Sequence, residues 1–285
     1  MKPEKVIDMH HHVLRQPAEE YADAAAKVAE QNNIVKIVLV GLEYEGSAVG
    51  RNESLLACWR RHPGLFVPFA GINLWRPVRG ELVDELKDAG FMGLKFIMPP
   101  KTYHDEAFYP YYQRAEELKM PILFHLGIVA RGGILGWGQK RPGRVDNNLM
   151  RPIYLDTIAR AFPELQMIGA HMGNPWFEEA GMSCRWNPNL YFDLSGSTLK
   201  RKKPDFFADL LWWGGDTYPA YRDQFGRDAW EKIVFGSDVQ AEDIPDVLND
   251  YAKIVEGLNL SKELADAIFY RTSANILRWA GIECP

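Results

Sequence analysis

The chain has 285 residues, with 33 basic and 38 acidic side chains for a formal charge of −5, and 47% of its residues are hydrophobic. That length buries a full core, as one large α/β domain or two small ones, and 25% charged with 12% aromatic residues excludes a disordered chain. Mild acidity argues against a general nucleic-acid binder, which needs a basic face over the phosphates.

In chain order, Met1-Lys2-Pro3-Glu4-Lys5 leads straight into an apolar strand over 6–8, unlike the core of a signal peptide. The patterning then predicts a helix over 19–32, a strand over 34–40, a helix over 52–62 and a strand over 66–72. A helix over 80–89, a strand over 93–96, a helix over 107–118 and a strand over 121–125 follow. The next helix, over 152–162, carries Leu155, Ile158, Ala159 and Phe162 as one buried stripe. A strand over 166–170 precedes a helix over 175–185, for which Asn174-Pro175 reads as an N-cap and a first-turn proline. Strands over 190–193 and 233–236 come last, before a helix opened by Asp243 and Pro245 and two more over 262–270 and 273–279.

Eight strands alternating with helices predict a single (β/α)8 barrel (TIM barrel) domain over 1–285 with extra C-terminal helices. Near-continuous apolar runs such as Ile37-Val38-Leu39-Val40 suit parallel strands covered on both faces. An open doubly wound sheet is the rival architecture, but no GxGxxG or GxxxxGK[ST] follows any strand. The long irregular segments are 41–51, 127–151 and 195–204, all after strands, where barrel enzymes carry their active-site loops. No apolar run approaches the roughly 20 residues of a membrane span. Cys58, Cys184 and Cys284 are spaced too widely for a disulfide framework or a CxxC knuckle, so a cytoplasmic protein is expected.

Polar residues gather at the strand ends. His10 and His12 stand two apart and share a face with Asp8, while His11 points the other way. Two such imidazoles can share a divalent ion, although the pattern alone is equally met by hydrogen-bonded histidines. The fifth strand ends in His125, the sixth in His171, the eighth in Asp238, and the fourth carries Lys95 among apolar neighbours. Burying that many polar groups at one barrel mouth without a metal or a substrate would be costly.

This ordered set resembles the amidohydrolase superfamily. The wording Ile-Asp-Met-His-His-His, Gly-Leu-Lys-Phe, Gly-Ala-His-Met-Gly and Phe-Gly-Ser-Asp is most similar to its amidohydrolase 2 branch, which holds decarboxylases, lactonases and a hydratase. Phe162-Pro163-Glu164-Leu165, Pro175-Trp176-Phe177-Glu178 and Tyr191-Phe192-Asp193-Leu194-Ser195 look like the same branch. The resemblance implies that His10, His12, His125 and Asp238 hold one divalent ion, zinc or alternatively manganese. It makes His171 the acid/base and Asp238 a second proton acceptor. Lys95 is expected to face the substrate as a cation; carbamylation to bridge two metals, or pairing with an acid such as Asp8, are the alternatives.

The loop after the fifth strand carries Arg131, Lys140, Arg141 and Arg144 against Asp146. It is either a solvated face or a clamp for a substrate carboxylate, with Arg131 the nearest candidate. Tyr44, Trp137 and Trp176 are candidate aromatic walls, and Gly132, Gly133, Gly136 and Gly138 would let the loop move as a lid. The expected function is a metal-dependent hydrolase using metal-bound hydroxide on a small carboxylated lactone, ester or amide. The alternatives are a non-oxidative decarboxylase of an aromatic or enol-type acid on the same site, or a non-catalytic binding barrel. A small-molecule carboxylate is the expected partner, with neither nucleic acid nor membrane. The resemblance allows a homodimer, although no exposed stripe marks an interface.

Overall fold

The structure, a computed structural model, describes residues 2–14, 17–43, 50–129, 145–214, 222–223 and 225–285. Eight strands form one sheet in the order of the chain: β1 (Val6–His11), β2 (Ile34–Val40), β3 (Phe66–Gly71), β4 (Gly93–Phe96), β5 (Ile122–Phe124), β6 (Met167–Gly169), β7 (Leu190–Asp193) and β8 (Ile233–Val234). Every adjacent pair from β1 to β8 is parallel. Between β8 and β1 the bonds Met9 N to Phe235 O (2.9 Å) and Asp238 N to His10 O (2.7 Å) bring the ring together. This is the (β/α)8 barrel that the alternation predicts.

The helices are α1 (Ala18–Gln31), α2 (Asn52–Arg61), α3 (Glu81–Asp88), α4 (Tyr109–Glu117), α5 (Ile153–Ala161) and α6 (Phe177–Trp186). Then come α7 (Ser197–Arg201), α8 (Pro204–Leu210), α9 (Ile244–Gly257), α10 (Lys262–Asp266) and α11 (Thr272–Trp279). A π-turn over Ala267–Arg271 joins the last two, so the break expected between them is a single widened turn. Among the described residues no helix is long and apolar enough to cross a membrane.

The strands are apolar on both faces because they are covered on both. Val38, Val40, Val67, Phe69, Leu123 and Ile168 belong to one buried cluster. Their neighbours one position over, Ile37, Leu39, Phe66, Phe124 and Met167, join a second with helix residues such as Leu55, Val83, Tyr111, Leu155 and Val247. The period of two along a strand separates these sets. Lys95 lies between Leu94 and Phe96, both of which face the helices, so its side chain is directed into the barrel.

Three local expectations are corrected. Asn174-Pro175 does not open α6: the Asn174–Pro175 peptide is cis and Trp176 stands at the helix start. The segment 195–204 is not irregular throughout, because α7 occupies Ser197–Arg201. The fifth, sixth and eighth strands stop short of their polar residues, whereas β1 runs on through His11.

Away from the barrel mouth, Lys232 is wholly buried. Just before β8, it donates to Asn187 O at 2.6 Å and sits over the Tyr191 ring at 4.9 Å. Burial pushes its pKa down to about 7; Cys184 and Asp223 oppose this and Arg227 reinforces it. An unfolded lysine titrates near 10.4, so between about pH 7 and 10 the unfolded chain holds a proton that the folded one lacks, and stability rises with pH over that window. Thermal melts from pH 6 to 10 should therefore find the Tm of Lys232→Met gaining most on the parent at the acid end, the difference closing towards pH 10. A difference independent of pH would show that the buried amine is not neutral there.

Candidate active site

The chemistry-bearing side chains meet where the strands end. His10 is wholly buried, His12 is 8% exposed, and both project from the end of β1. Asp238 follows β8 with a left-handed backbone (φ 50°), held by its N–H on His10 O. Its Oδ1 stands 3.6 Å from His10 Nε2 and 3.4 Å from His12 Nε2, while Oδ2 is 3.8 Å from His171 Nε2. Gly236 permits this closeness, since a Cβ there would lie 2.9 Å from His10 Cβ and 3.0 Å from Asp193 Cβ.

The imidazoles of His10 and His12 are held from behind. His10 Nδ1 lies 2.9 Å from Asp193 Oδ2, and His12 Nδ1 lies 3.1 Å from Val40 O. A carboxylate and a carbonyl only accept, so in the neutral rings both Nδ1 atoms carry hydrogen and both Nε2 atoms turn lone pairs towards Asp238. His11 faces away, as expected, with Nε2 against the Tyr21 hydroxyl and Nδ1 2.8 Å from Ser237 Oγ. Asp8 does not pair with Lys95. Its Oδ1 accepts from His10 N (3.1 Å) and Ser237 N (2.9 Å), tying β1 to the segment after β8.

His171 does not continue β6. It lies in a 3-10 turn over Ala170–Gly173 with φ 61° and ψ 20°, and Met172 after it has φ 47°. The left-handed region is sparsely populated by residues with a side chain and persists where its surroundings over-determine it. Here the His171 N–H donates to Asp193 Oδ1 at 2.9 Å. His125 packs against His171 with ring centroids 4.9 Å apart, and its Nε2 is buried without a hydrogen-bond partner.

Burial biases these groups, and charge corrects some of them. It holds His12 and His125 well below the usual histidine range, with Asp238 opposing the shift at His12 and His171 reinforcing it at His125. His171 is lowered by burial too, against Asp238 and Asp193. Burial works to raise Asp238, but His10, His171, His12 and Lys95 outweigh it and lower its pKa. Asp193 is likewise lowered against burial, chiefly by His10. Lys95 is wholly buried, which pushes its pKa down to about 8 while Asp238 and Asp193 pull upward.

The fold therefore brings His10, His12, His125, His171, Asp238 and Lys95 to one mouth. His10, His12 and Asp238 offer ligand atoms all within 4.8 Å of one another. His125 falls outside that trio but adds a buried, unsatisfied nitrogen. A second trio, His10, His171 and Asp193, is equally close. Its carboxylate is already spent on hydrogen bonds, so it is a bonding network rather than an ion site. Arg131, Tyr44, Trp137, Lys140, Arg141, Arg144 and the glycines proposed for a lid lie outside the described residues. Trp176 has the Arg151 guanidinium over its ring at 5.5 Å. Asp193 and Ser195 stand in a motif quoted above without a role for their side chains; a carboxylate closing a strand, as Asp238 follows β8, was the available signal.

The amidohydrolase family model (amidohydrolase 2) matches residues 7–279. The chain belongs to the amidohydrolase family. No curated protein matches this amidohydrolase. Among solved structures it is similar to the 2,6-dihydroxybenzoate decarboxylase from Rhizobium, at 13% identity and TM-score 0.66, over 97% of this chain and 99% of that one. A probable 2-pyrone-4,6-dicarboxylic acid hydrolase from Acinetobacter baumannii with citric acid bound aligns at 14% identity and TM-score 0.62, over 96% and 99%. The 5-carboxyvanillate decarboxylase from Novosphingobium aromaticivorans, complexed with manganese and 4-hydroxy-3-methoxy-5-nitrobenzoic acid, aligns at 12% identity and TM-score 0.61, over 97% of each chain. At these identities the likeness is one of fold.

The site of this amidohydrolase fits a divalent cation: two oriented lone pairs and a lowered carboxylate converge, and an orphaned buried nitrogen lies on His125, packed against His171 beside them. One group competes. Lys95 Nζ lies 3.2 Å from His10 Nε2, so ammonium and metal contend for the same lone pair. Calorimetric titration with zinc should find Lys95→Met binding at least as tightly as the parent. A loss of about tenfold or more in affinity would instead make Lys95 part of the ligand shell.

Proposed function

We propose that this amidohydrolase is a metal-dependent hydrolase of a small carboxylated lactone, ester or amide, with residues 1–285 acting as one catalytic domain. The observation that carries the reading is the set of Nε2 lone pairs aimed at Asp238. His10, His12, His125 and Asp238 would hold the ion; their nitrogen and oxygen donors suit zinc, and manganese as the alternative. When bound, such an ion supplies an acidified water and polarises a carbonyl.

The remaining steps belong to the chain. His171 turns Nε2 towards Asp238 and has a depressed pKa, so it starts neutral and can take a proton at neutral pH. It then returns that proton to the departing oxygen or nitrogen. Asp238, acceptor-only when ionised, would be a second acceptor for a proton from water and would give it back to solvent as product leaves. Lys95, with Arg131 from the loop, would hold the substrate carboxylate; the buried ammonium strengthens that pairing because little water screens it.

A second reading, non-oxidative decarboxylation at the same site, draws support from Lys95. Its ammonium, depressed to about 8, is a proton donor inside the barrel that could protonate carbon as CO2 leaves.

Metal-loaded protein assayed against carboxylated lactones and against hydroxybenzoates separates the two, by uptake of base equivalents or by release of CO2. His171→Asn should keep most of its metal and lose about two orders of magnitude or more in turnover, whereas His10→Ala and Asp238→Ala should lose the metal. Protein that binds no zinc or manganese on reloading would overturn the metal-dependent reading. Near-normal turnover in His171→Asn would remove that histidine from the mechanism.

A further inference from the structure

Asp193 gathers more donors than any other carboxylate at the mouth. Its Oδ1 accepts from His171 N at 2.9 Å, from Ser195 N at 2.9 Å and from the Ser195 hydroxyl. Its Oδ2 takes His10 Nδ1 at 2.9 Å. Both Asp193 and Ser195 are wholly buried. Ser195 Oγ in turn lies 2.9 Å from His171 Nδ1.

Counting protons fixes the direction of this chain. A carboxylate surrounded by four donors is ionised and can only accept, so the single hydrogen of the Ser195 hydroxyl is committed to Asp193. The contact between Ser195 Oγ and His171 Nδ1 is then a hydrogen bond only if Nδ1 supplies the hydrogen. The second neighbour of Nδ1, Ser195 O at 3.3 Å, is a carbonyl and also accepts. Gly196 leaves the space for this: with φ 83° it lies beside the ring, where a Cβ would stand 3.3 Å from Nδ1. The order is therefore His171 to Ser195 to Asp193. Ser195 is not a nucleophile awaiting activation, because its proton points away from the imidazole and its oxygen is buried behind it.

We propose that Asp193 and Ser195 are positioning residues that lock neutral His171 as the Nδ1–H tautomer and so keep its Nε2 lone pair facing the reaction centre. Asp193 does the same for His10 directly, which makes one buried carboxylate the common reference for a proton carrier and a metal ligand. The kinetic consequence rests on the role given to His171 above; the tautomer itself does not. Ser195 is the cleaner position to vary, because it touches His171 and leaves the bond from Asp193 to His10 in place.

Long-range 1H–15N correlation spectra of the metal-free protein, with His171 assigned by the loss of its signals in His171→Asn, read the tautomer directly. A protonated, pyrrole-type Nδ1 and a pyridine-type Nε2 are expected in the parent. Ser195→Ala removes the 2.9 Å bond and leaves His171 Nδ1 only the longer one to the residue-195 carbonyl; it should shift His171 part of the way towards a mixture of tautomers, retain its metal, and lower kcat by about tenfold or more with little change in KM. Ser195→Thr, which keeps the hydroxyl, should restore both the spectrum and the turnover. A pyrrole-type Nε2 in the parent would overturn the proposal, as would Ser195→Ala with an unchanged spectrum and unchanged turnover. If the spectra behave as expected while His171→Asn turns over normally, the tautomer lock stands and the acid/base role of His171 falls.

Discussion

Closure of the barrel between its first and last strands governs the rest of the molecule. β8 is only two residues long, so a regular ladder to β1 is replaced by a few directed bonds. Met9 reaches Phe235 O, Asp238 reaches His10 O, and the buried Asp8 carboxylate receives amides from both sides of the seam. Buried polar groups of this kind are costly unless matched, and matched they tolerate only one register. A slip of one residue in β1 would turn His10 and His12 away from the mouth and bring His11 in. The seam thus converts strand pairing into the placement of Asp238 against two imidazoles.

Within that frame the site divides its carboxylates by what surrounds them. Asp193 is saturated by four donors and sits deep, so it serves to orient. Asp238 is a quarter exposed and meets its three histidines only at 3.4 to 3.8 Å, distances that leave it free to take a ligand or a proton. The same charge accounting keeps Lys95 in the barrel. Its desolvation is only partly offset by the two aspartates, and its Nζ reaches the His10 Nε2 lone pair. Five basic side chains and two acids share one small volume, and burial biases His12, His125 and His171 towards the neutral form.

The barrel was legible because period-two apolar runs and period-3.6 stripes alternate without interruption along the chain. The strand-end positions of His10, His12, Lys95, His125, His171 and Asp238 followed from that alternation, and their convergence from the rule that parallel strands end on one face. What stayed hidden is long-range. The bond from Asp193 to His10 spans 183 residues, and that from Ser195 to His171 spans 24; no local pattern encodes either. The left-handed turn at His171 was also invisible, because the apolar run before it reads as a strand continuing through Ala170. Asn174-Pro175 misled for a related reason: the dipeptide has the composition of a helix start, while the chain enters α6 two residues later.

The backbone at His171 and Asp238 limits what evolution or a designer can place there. At φ 61° and φ 50° both positions lie where residues branched at Cβ are strained, whereas Gly, Asn, Asp and His are tolerated. The two side chains proposed to move protons are thus drawn from a small alphabet fixed by the main chain before any chemistry is considered. Conversion of this barrel to a different reaction would have to exchange residues within that alphabet at these two positions, and would find a wider choice at His12, just past β1, and at Lys95 in β4, neither of which has a left-handed backbone.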